Sequence, residues 1–244
     1  MQNETTLVLG ASSDIGREII RATDARDRKV FAHCYHGKSK LDHLNAELDS
    51  TVYPISADLG TVEGSNELIA KVSGSCEVPD SIVILQAPSL KLGRFKNLSR
   101  ASFQEHFDTQ VLGTFDVLKH FLPKMAKRGS GRVVFVLSSV TIGMPPASMA
   151  NYTTGKYALL GLMRSAAAEY GHKGLSINAI SPSMVDTQFL NNLPDKMIEL
   201  NIAAHIQKRI ARVDDIAPAV AFLLSAGANY MNGVNLPIAG GGQV

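Results

Sequence analysis

Short runs of β-branched and apolar residues alternate along this chain with longer segments in which apolar side chains recur at helical spacing. The short runs predict seven strands, at residues 5–9, 29–33, 51–55, 81–85, 133–137, 175–180 and 234–238. The longer segments predict helices at residues 14–27, 39–48, 61–72, 100–128, 150–172 and 213–225. This alternation is typical of α/β proteins with a parallel sheet. We therefore expect a doubly wound parallel sheet of about seven strands, with helices on both faces.

The whole chain, residues 1–244, is predicted to form a single domain, because no linker, repeat or low-complexity tract divides it. One segment, at about residues 186–206, interrupts the alternation of strands and helices late in the chain. Its apolar residues are spaced as in a helix. Insertions of this kind are candidates for a lid over a substrate.

Composition and charge exclude several classes of protein. Apolar residues make up 45% of the chain, and the formal net charge of +2 is too small to predict nucleic-acid binding. The cysteines, Cys34 and Cys76, do not suggest a disulfide framework, and no His or Cys spacing suggests a metal site. The apolar stretches are too short to span a bilayer, and the first residues do not resemble a signal peptide. We expect a cytoplasmic protein with no metal and no membrane partner.

Two groups of residues suggest chemistry. The first strand runs into a turn between Gly10 and Gly16, and such a turn before a helix exposes backbone N–H groups to a pyrophosphate. An ordinary strand–helix loop would look the same. Further along, Tyr152 and Lys156 share one helix face, where a lysine cation favours the phenolate and makes tyrosine a usable acid or base. A surface pair would also have this spacing, but Ser138 and Ser139 end a strand at the same sheet edge as the turn.

With these motifs the chain resembles the short-chain dehydrogenase/reductase family over nearly its whole length. The resemblance is carried by Gly10-x5-Gly16, Ala57-Asp58-Leu59, Ser139, Tyr152-x3-Lys156, Asn178-Ala179-x-Ser181-Pro182, Asp186-Thr187 and Gly233-Val234-Asn235-Leu236-Pro237. It implies a Rossmann-type fold and a nicotinamide cofactor. The C-terminal third is similar to 3-oxoacyl-acyl-carrier-protein reductases, although its segments are shared widely across the family.

The resemblance also implies roles for individual residues. Tyr152 is expected to be the general acid or base, with Lys156 lowering its pKa and binding the nicotinamide ribose. The family's serine lies thirteen residues before the tyrosine, which selects Ser139 over Ser138. Gln110 stands where the family has an asparagine that holds a proton-relay water, and it completes the expected catalytic set. The cofactor is expected to contact Gly10, Ser12, Ser13, Asp14, Ile15, Gly16, His33, His36, Asp58, Leu59, Gln86, Ala87, Tyr152, Lys156, Pro182, Met184, Val185 and Thr187.

Several positions depart from the family pattern, and all of them are expected near the cofactor. Asp14 replaces a glycine in the turn, and its charge is unfavourable near a phosphate. The fourth strand ends in Gln86-Ala87-Pro88 rather than Asn-Ala-Gly, and Ser183 replaces a glycine. These departures leave open a second hypothesis, a catalytically silent member of the family that binds a nucleotide or serves as a scaffold.

The choice of cofactor depends on the end of the second strand. An acid there would select NAD, but residues 32–40 contain none, and His36, Lys38 and Lys40 could meet a 2′-phosphate. We therefore favour NADP(H), although a solvated basic loop would have the same sequence and NAD(H) stays open. The expected reaction is reduction of a ketone, with a small-molecule or carrier-bound substrate such as a 3-oxoacyl thioester.

Partners follow from charge and from the resemblance. Basic residues lie near the C-terminal ends of two predicted helices, where they could either bind an acidic carrier protein or complement the helix dipoles. They are Lys119, His120, Lys124, Lys127, Arg128, His172 and Lys173. The family resemblance implies a homotetramer or a homodimer, with the helices at 100–128 and 150–172 at one interface.

Overall fold

A seven-stranded parallel sheet forms the centre of the computed structural model, which describes residues 4–242. The strands follow the order β3-β2-β1-β4-β5-β6-β7. They are β1 Thr5–Leu9, β2 Lys29–Cys34, β3 Thr51–Ser56, β4 Ser81–Ile84, β5 Gly131–Val136, β6 Leu175–Pro182 and β7 Asn235–Ile238. This sheet confirms the predicted fold class. The direction of strand addition reverses between β1 and β4, and ligands of open α/β sheets bind in the crevice at such a switch point.

Helices cover both faces of the sheet. They are α1 Asp14–Ala22, α2 Ser39–Asp42, α3 Val62–Ser75, α4 Arg100–His106, α5 Gly113–Arg128, α6 Ala150–Tyr170, α7 Asp195–Ala204 and α8 Val213–Leu224. One buried cluster joins the sheet to α3, α5 and α6 through residues such as Leu68, Phe121 and Met163. A second cluster joins the opposite face to α1, α2 and α8 through residues such as Ile19 and Val220. Two cores of this kind are what a doubly wound sheet requires.

Two predicted helices end early because side chains bind the backbone instead. Helix α1 ends at Ala22 rather than at residue 27, and the Asp24 carboxylate accepts hydrogen bonds from the backbone N–H groups of Asp49 and Ser50 at 3.1 and 2.9 Å. The helix predicted at 39–48 shortens to α2, because the Asn45 side chain pairs with both backbone groups of Val52. Side chains of Asn and Asp commonly compete with helices in this way.

The helix predicted at 100–128 is broken in its middle. A π-helical turn, Phe107–Leu112, separates α4 from α5. The turn lies against α6 at Gly155, where a Cβ would stand 3.1 Å from the Gln110 amide nitrogen. Such π turns occur often at functional sites. Pro123, in contrast, lies inside α5 without ending it.

The late insertion forms a short 3₁₀ segment, Gln188–Asn192, followed by α7. Apolar residues of both pieces pack over Tyr152 at the carboxyl edge of the sheet. The segment at 186–206, which we call the lid, thus lies over Tyr152 at the edge of the sheet. In the described part of the chain, no helix has the length and apolar character that a bilayer span needs.

Candidate active site

A cavity of about 880 Å³ opens at the carboxyl edge of the sheet. It is lined at one end by the glycine turn after β1 and at the other by Tyr152, Lys156 and the lid. Nearly all the expected cofactor residues line it. Gly16 does not, because it lies behind the turn at the start of α1. Two further departures from the family pattern, Pro88 and Ser183, also line the cavity.

The glycine turn has the geometry of a phosphate cradle. Gly10 has a φ of +84°, and a Cβ on it would stand 2.8 Å from the backbone nitrogen of Gln86. A Cβ on Gly16 would stand 2.8 Å from the carbonyl oxygen of Gly10, so both positions need glycine. The Ser13 hydroxyl caps α1 by accepting from the Gly16 N–H at 3.1 Å. The positive end of α1 therefore faces the cavity, as binding of a pyrophosphate requires.

His33 supports this turn from behind. The side chain is 2% exposed; its Nδ1 accepts from the Gly10 N–H at 3.2 Å, and its Nε2 donates to the Ala57 carbonyl at 3.1 Å. Burial lowers the pKa of His33 to about 4. The imidazole is therefore neutral at physiological pH, and both of its ring nitrogens are already committed to the protein.

The Asp14 carboxylate is tied to the lid. It forms an ion pair with Arg17, and its Oδ2 accepts from the backbone N–H of Gln188 at 2.9 Å. The side-chain oxygen of Gln188 accepts in turn from Lys40 Nζ at 2.8 Å. We call Asp14, Gln188 and Lys40 the lid clasp. Arg17 and the Gln188 N–H therefore offset the negative charge of Asp14, which was expected to lie near a phosphate of the cofactor.

Tyr152 and Lys156 project from one face of α6, and both are buried. Lys156 Nζ lies 5.7 Å from the centre of the Tyr152 ring and donates to the carbonyl of Val136 at 3.1 Å. Burial lowers the pKa of Lys156 to about 8. Burial raises the pKa of Tyr152, and a hydrogen bond with Ser138 opposes that change. Tyr152 therefore keeps its proton at neutral pH, as a proton donor must, and does not show the lowered pKa that its neighbour Lys156 led us to expect.

Both serines reach the site, in different positions. Ser139 is 7% exposed and lines the cavity, as does Ser138. The Ser138 hydroxyl accepts from the backbone N–H of Val140 at 3.4 Å, and it acts on the Tyr152 phenol by opposing the rise in its pKa. Spacing alone selected Ser139, so the effect of Ser138 on the phenol was missed.

Gln110 lies behind the cavity wall and is fully buried. Its amide nitrogen donates to Nδ1 of His106 at 2.8 Å. The ring of His106 lies edge-on to that of Tyr152, with centroids 6.1 Å apart. Burial lowers the pKa of His106; Glu105 opposes this, and Lys156 and Lys91 reinforce it. Gln110 and a neutral His106 therefore lie behind Tyr152. Nothing in the sequence marked His106, because its partner is an amide rather than a metal.

The residues present fit a dinucleotide cofactor. Beyond the glycine turn, Gln86 lines the cavity, and its amide nitrogen donates to the Thr114 hydroxyl at 2.7 Å. Its amide oxygen is buried and has no hydrogen-bond partner among residues 4–242. That oxygen is an acceptor ready for a ligand donor such as a ribose hydroxyl. In the same described range, no three His, Cys, Asp or Glu side chains are grouped to hold a metal ion.

A family model described as enoyl-(acyl carrier protein) reductase matches residues 10–243. The chain belongs to the short-chain dehydrogenase/reductase family. Among curated proteins it is similar to a 3-oxoacyl-[acyl-carrier-protein] reductase of Staphylococcus epidermidis. The two are 26% identical over 98% of each chain.

Two solved structures extend the comparison. The structure of ElxO with NADP bound is 25% identical and covers 98% of each chain, with a TM-score of 0.87. A 3-oxoacyl-[acyl-carrier protein] reductase with bound NAD from Brucella melitensis has the same TM-score at 22% identity, covering 99% of this chain and 91% of the other. The second likeness shows the fold. The chain is thus an oxidoreductase of this family with a nicotinamide cofactor.

Proposed function

We propose that this protein is an NADP(H)-dependent reductase that converts a ketone into a secondary alcohol. The observation that carries the proposal is the single cavity in which Tyr152, Lys156 and two serine hydroxyls face the same space as the glycine turn. An acid/base pair without a cradle, or a cradle without the pair, would not support it.

In the proposed reaction Tyr152 donates its phenolic proton to the carbonyl oxygen of the substrate. The nicotinamide, when bound, supplies the hydride to the carbonyl carbon. The Lys156 ammonium stabilises the phenolate that remains, and its burial strengthens that effect because little water screens the charge. The hydroxyl of Ser139 donates a hydrogen bond to the oxygen on which charge develops. Ser138, which opposes the rise in the pKa of the phenol, helps to hold the proton donor in position.

NADP(H) is favoured by the residues that line the adenine end of the cavity. His36 and Lys40 line it, whereas Lys38 is exposed and pairs with Asp42 at 3.0 Å. We therefore assign a 2′-phosphate to His36 and Lys40, and leave Lys38 outside the contact. The likeness to a structure with bound NADP supports this choice.

For the substrate, a 3-oxoacyl thioester is supported by the 3-oxoacyl reductase among the relatives. The basic residues give less support than their number suggests. Arg128 pairs with Asp80 at 3.0 Å and donates to the Val78 carbonyl at 3.1 Å, so it braces the turn before β4. Lys124 and His120 bond each other at 2.8 Å. A carrier-bound substrate would depend chiefly on the remaining lysines.

We further propose that two or four copies of the chain assemble through the face that α5 and α6 share with the π turn. Large apolar side chains lie partly exposed there; they are Phe107, Leu112, Phe115 and Tyr157. Exposed apolar groups of this kind are typical of an interface between subunits.

The test is a fluorescence titration of the purified protein with NADPH and NADH, followed by assays of Tyr152→Phe. We expect NADPH to bind at least ~10-fold more tightly than NADH, a difference of about 1.4 kcal/mol. Tyr152→Phe should keep NADPH binding but lose at least ~100-fold in kcat for ketone reduction, because the proton donor is gone. Tighter binding of NADH would overturn the cofactor choice. Binding of neither nucleotide would favour the catalytically silent scaffold.

A further inference from the structure

The lid and the wall below it enclose Tyr152 in apolar side chains. We call this region the lid chamber; its buried members are Leu90, Val140, Met149, Tyr152, Leu190 and Leu193. Phe189, Met197 and Ile198 of the lid pack against them. The ring of Phe189 lies 6.0 Å from that of Tyr152, centroid to centroid. A substrate that reaches the phenol therefore has apolar surface around its carbon skeleton.

The lid chamber offers no partner to an anion. Of the described residues that line the whole cavity, only Lys40 and Lys156 are lysine or arginine. Lys40 belongs to the lid clasp at the far end, and Lys156 is buried against the Val136 carbonyl below the phenol. The acids Glu105 and Asp108 also line the cavity. A carboxylate or phosphate near Tyr152 would lose its hydration without gaining a cation.

The lid also brings a polar side chain to the cavity. Asn201 lies one turn after Met197 on α7, on the face that carries Met197 and Ile198 over the lid chamber, and it lines the cavity. Its amide oxygen is buried, and the described part of the chain supplies no hydrogen-bond partner for it. Buried acceptors are nearly always paired, so an orphaned one on a residue that lines a cavity points to a donor on the ligand.

We propose that the lid chamber selects uncharged ketones with an apolar skeleton and one hydrogen-bond donor, a hydroxyl or an amide N–H, which the Asn201 amide oxygen accepts. Asn201 is thus a specificity-determining residue of the reaction proposed above, and this inference rests on that reaction. Apolar contacts discriminate between substrates weakly, whereas a buried polar group left unpaired discriminates strongly. The Asn201 amide therefore discriminates among ketones of similar size.

The test uses three ketones of one chain length: 2-octanone, 8-hydroxy-2-octanone and 7-oxooctanoate. Their dissociation constants are measured by calorimetry with Tyr152→Phe in the presence of NADPH, so that binding is read without turnover. We expect 7-oxooctanoate to bind at least ~10-fold more weakly than 2-octanone, and the hydroxyketone about fivefold more tightly. Adding Asn201→Leu should reduce the second ratio to about one. Adding Asn191→Leu, at an exposed lid position, should leave that ratio unchanged.

Each outcome bears on one claim. Equal or tighter binding of 7-oxooctanoate overturns the selection against charge. A hydroxyketone advantage that survives Asn201→Leu, or that is absent before it, overturns the role of Asn201. The proposed reaction is tested separately by turnover of the same ketones with NADPH and the unmodified protein. If the three ketones bind in the expected order of affinity but none is reduced, the proposed reductase activity is rejected and the proposed selectivity stands.

Discussion

The two ends of the cavity follow different rules. At the Tyr152 end the side chains proposed to react match the family pattern, and backbone and buried contacts hold them, such as the bond from Lys156 to the Val136 carbonyl. At the glycine-turn end the sequence departs from the pattern at Asp14, yet new partners surround that residue. Proton transfer tolerates few alternatives to a tyrosine beside a lysine, whereas a phosphate cradle is made mostly of backbone and accepts different side chains around it.

The wall behind Tyr152 shows the same kind of compensation. Gln110 replaces the family's asparagine, and its longer side chain bonds His106 instead of facing the cavity. His106 then contacts the Tyr152 ring edge-on. The departure from the family pattern at Gln110 is thus accompanied by a hydrogen-bond partner, His106, four residues earlier in the chain. The bond satisfies the Gln110 amide nitrogen and His106 Nδ1 without adding a second cation beside the phenol, whereas the buried Gln110 amide oxygen has no hydrogen-bond partner among residues 4–242.

The largest expected difference between the two ends is the effect of pH on catalysis at the Tyr152 end. Burial lowers the pKa of Lys156 to about 8, so the protein loses the cation beside Tyr152 as the pH rises through that value. We expect kcat/KM for ketone reduction to fall above about pH 8, approaching tenfold for each further pH unit. Lys156→Arg, which stays charged, should move this limb above pH 9.

The measurement is a pH–rate profile of both forms at saturating NADPH, with NADPH binding recorded at each pH. Binding that is unchanged across the series assigns the loss to proton transfer rather than to the cradle. A limb that stays at pH 8 in Lys156→Arg would show that another group titrates there, and our account of Lys156 would be wrong.

Low pH should instead destabilise the fold through His33, which supports the glycine turn. The unfolded chain binds a proton at His33 below about pH 6.5, but the folded chain does so only below about pH 4. Between these values the unfolded state holds more protons, so the free energy of unfolding falls as the pH drops. A shift of this size corresponds to about 3 kcal/mol in full. Protonation would also break the bond from the Gly10 N–H to His33 Nδ1.

Urea denaturation between pH 7.5 and 4.5 measures this loss. His33→Gln cannot be protonated, and it should remove most of the decline. His43→Gln, at an exposed position, is the matched control and should leave the decline as it is. A decline that persists in His33→Gln would assign acid sensitivity to other groups.

The sequence predicted the sheet well because its strands are buried runs of β-branched residues, and each predicted strand lies within two residues of the observed one. It predicted Tyr152 and Lys156 because one helical turn brings them together. It failed where partners are distant or local periodicity is uninformative. Asp14 and Gln188 lie 174 residues apart in sequence and meet only through the folded lid. The π turn at Phe107–Leu112 keeps an ordinary helical pattern of residues, so no signal marked it.

The smallest expected effect concerns the lid clasp. Asp14→Gly restores the family's residue in the turn but removes the acceptor for the Gln188 N–H, so the lid loses one of its ties. We expect NADPH to dissociate about threefold to tenfold faster, the size expected for one charge-assisted hydrogen bond at a partly exposed site. Asp14→Asn keeps an acceptor and removes the charge, so it should bind NADPH slightly more tightly than the unmodified protein.

Stopped-flow release of NADPH separates these two roles of Asp14. Asp42→Asn, which removes an exposed carboxylate paired with Lys38, is the control for a general change of charge and should not alter the rate. If Asp14→Gly releases NADPH as slowly as the unmodified protein, the clasp adds nothing to retention. If Asp14→Asn instead accelerates release as much as Asp14→Gly does, the ion pair with Arg17 matters more than the tie to Gln188. Asp14 would then stabilise helix α1 rather than hold the lid in place.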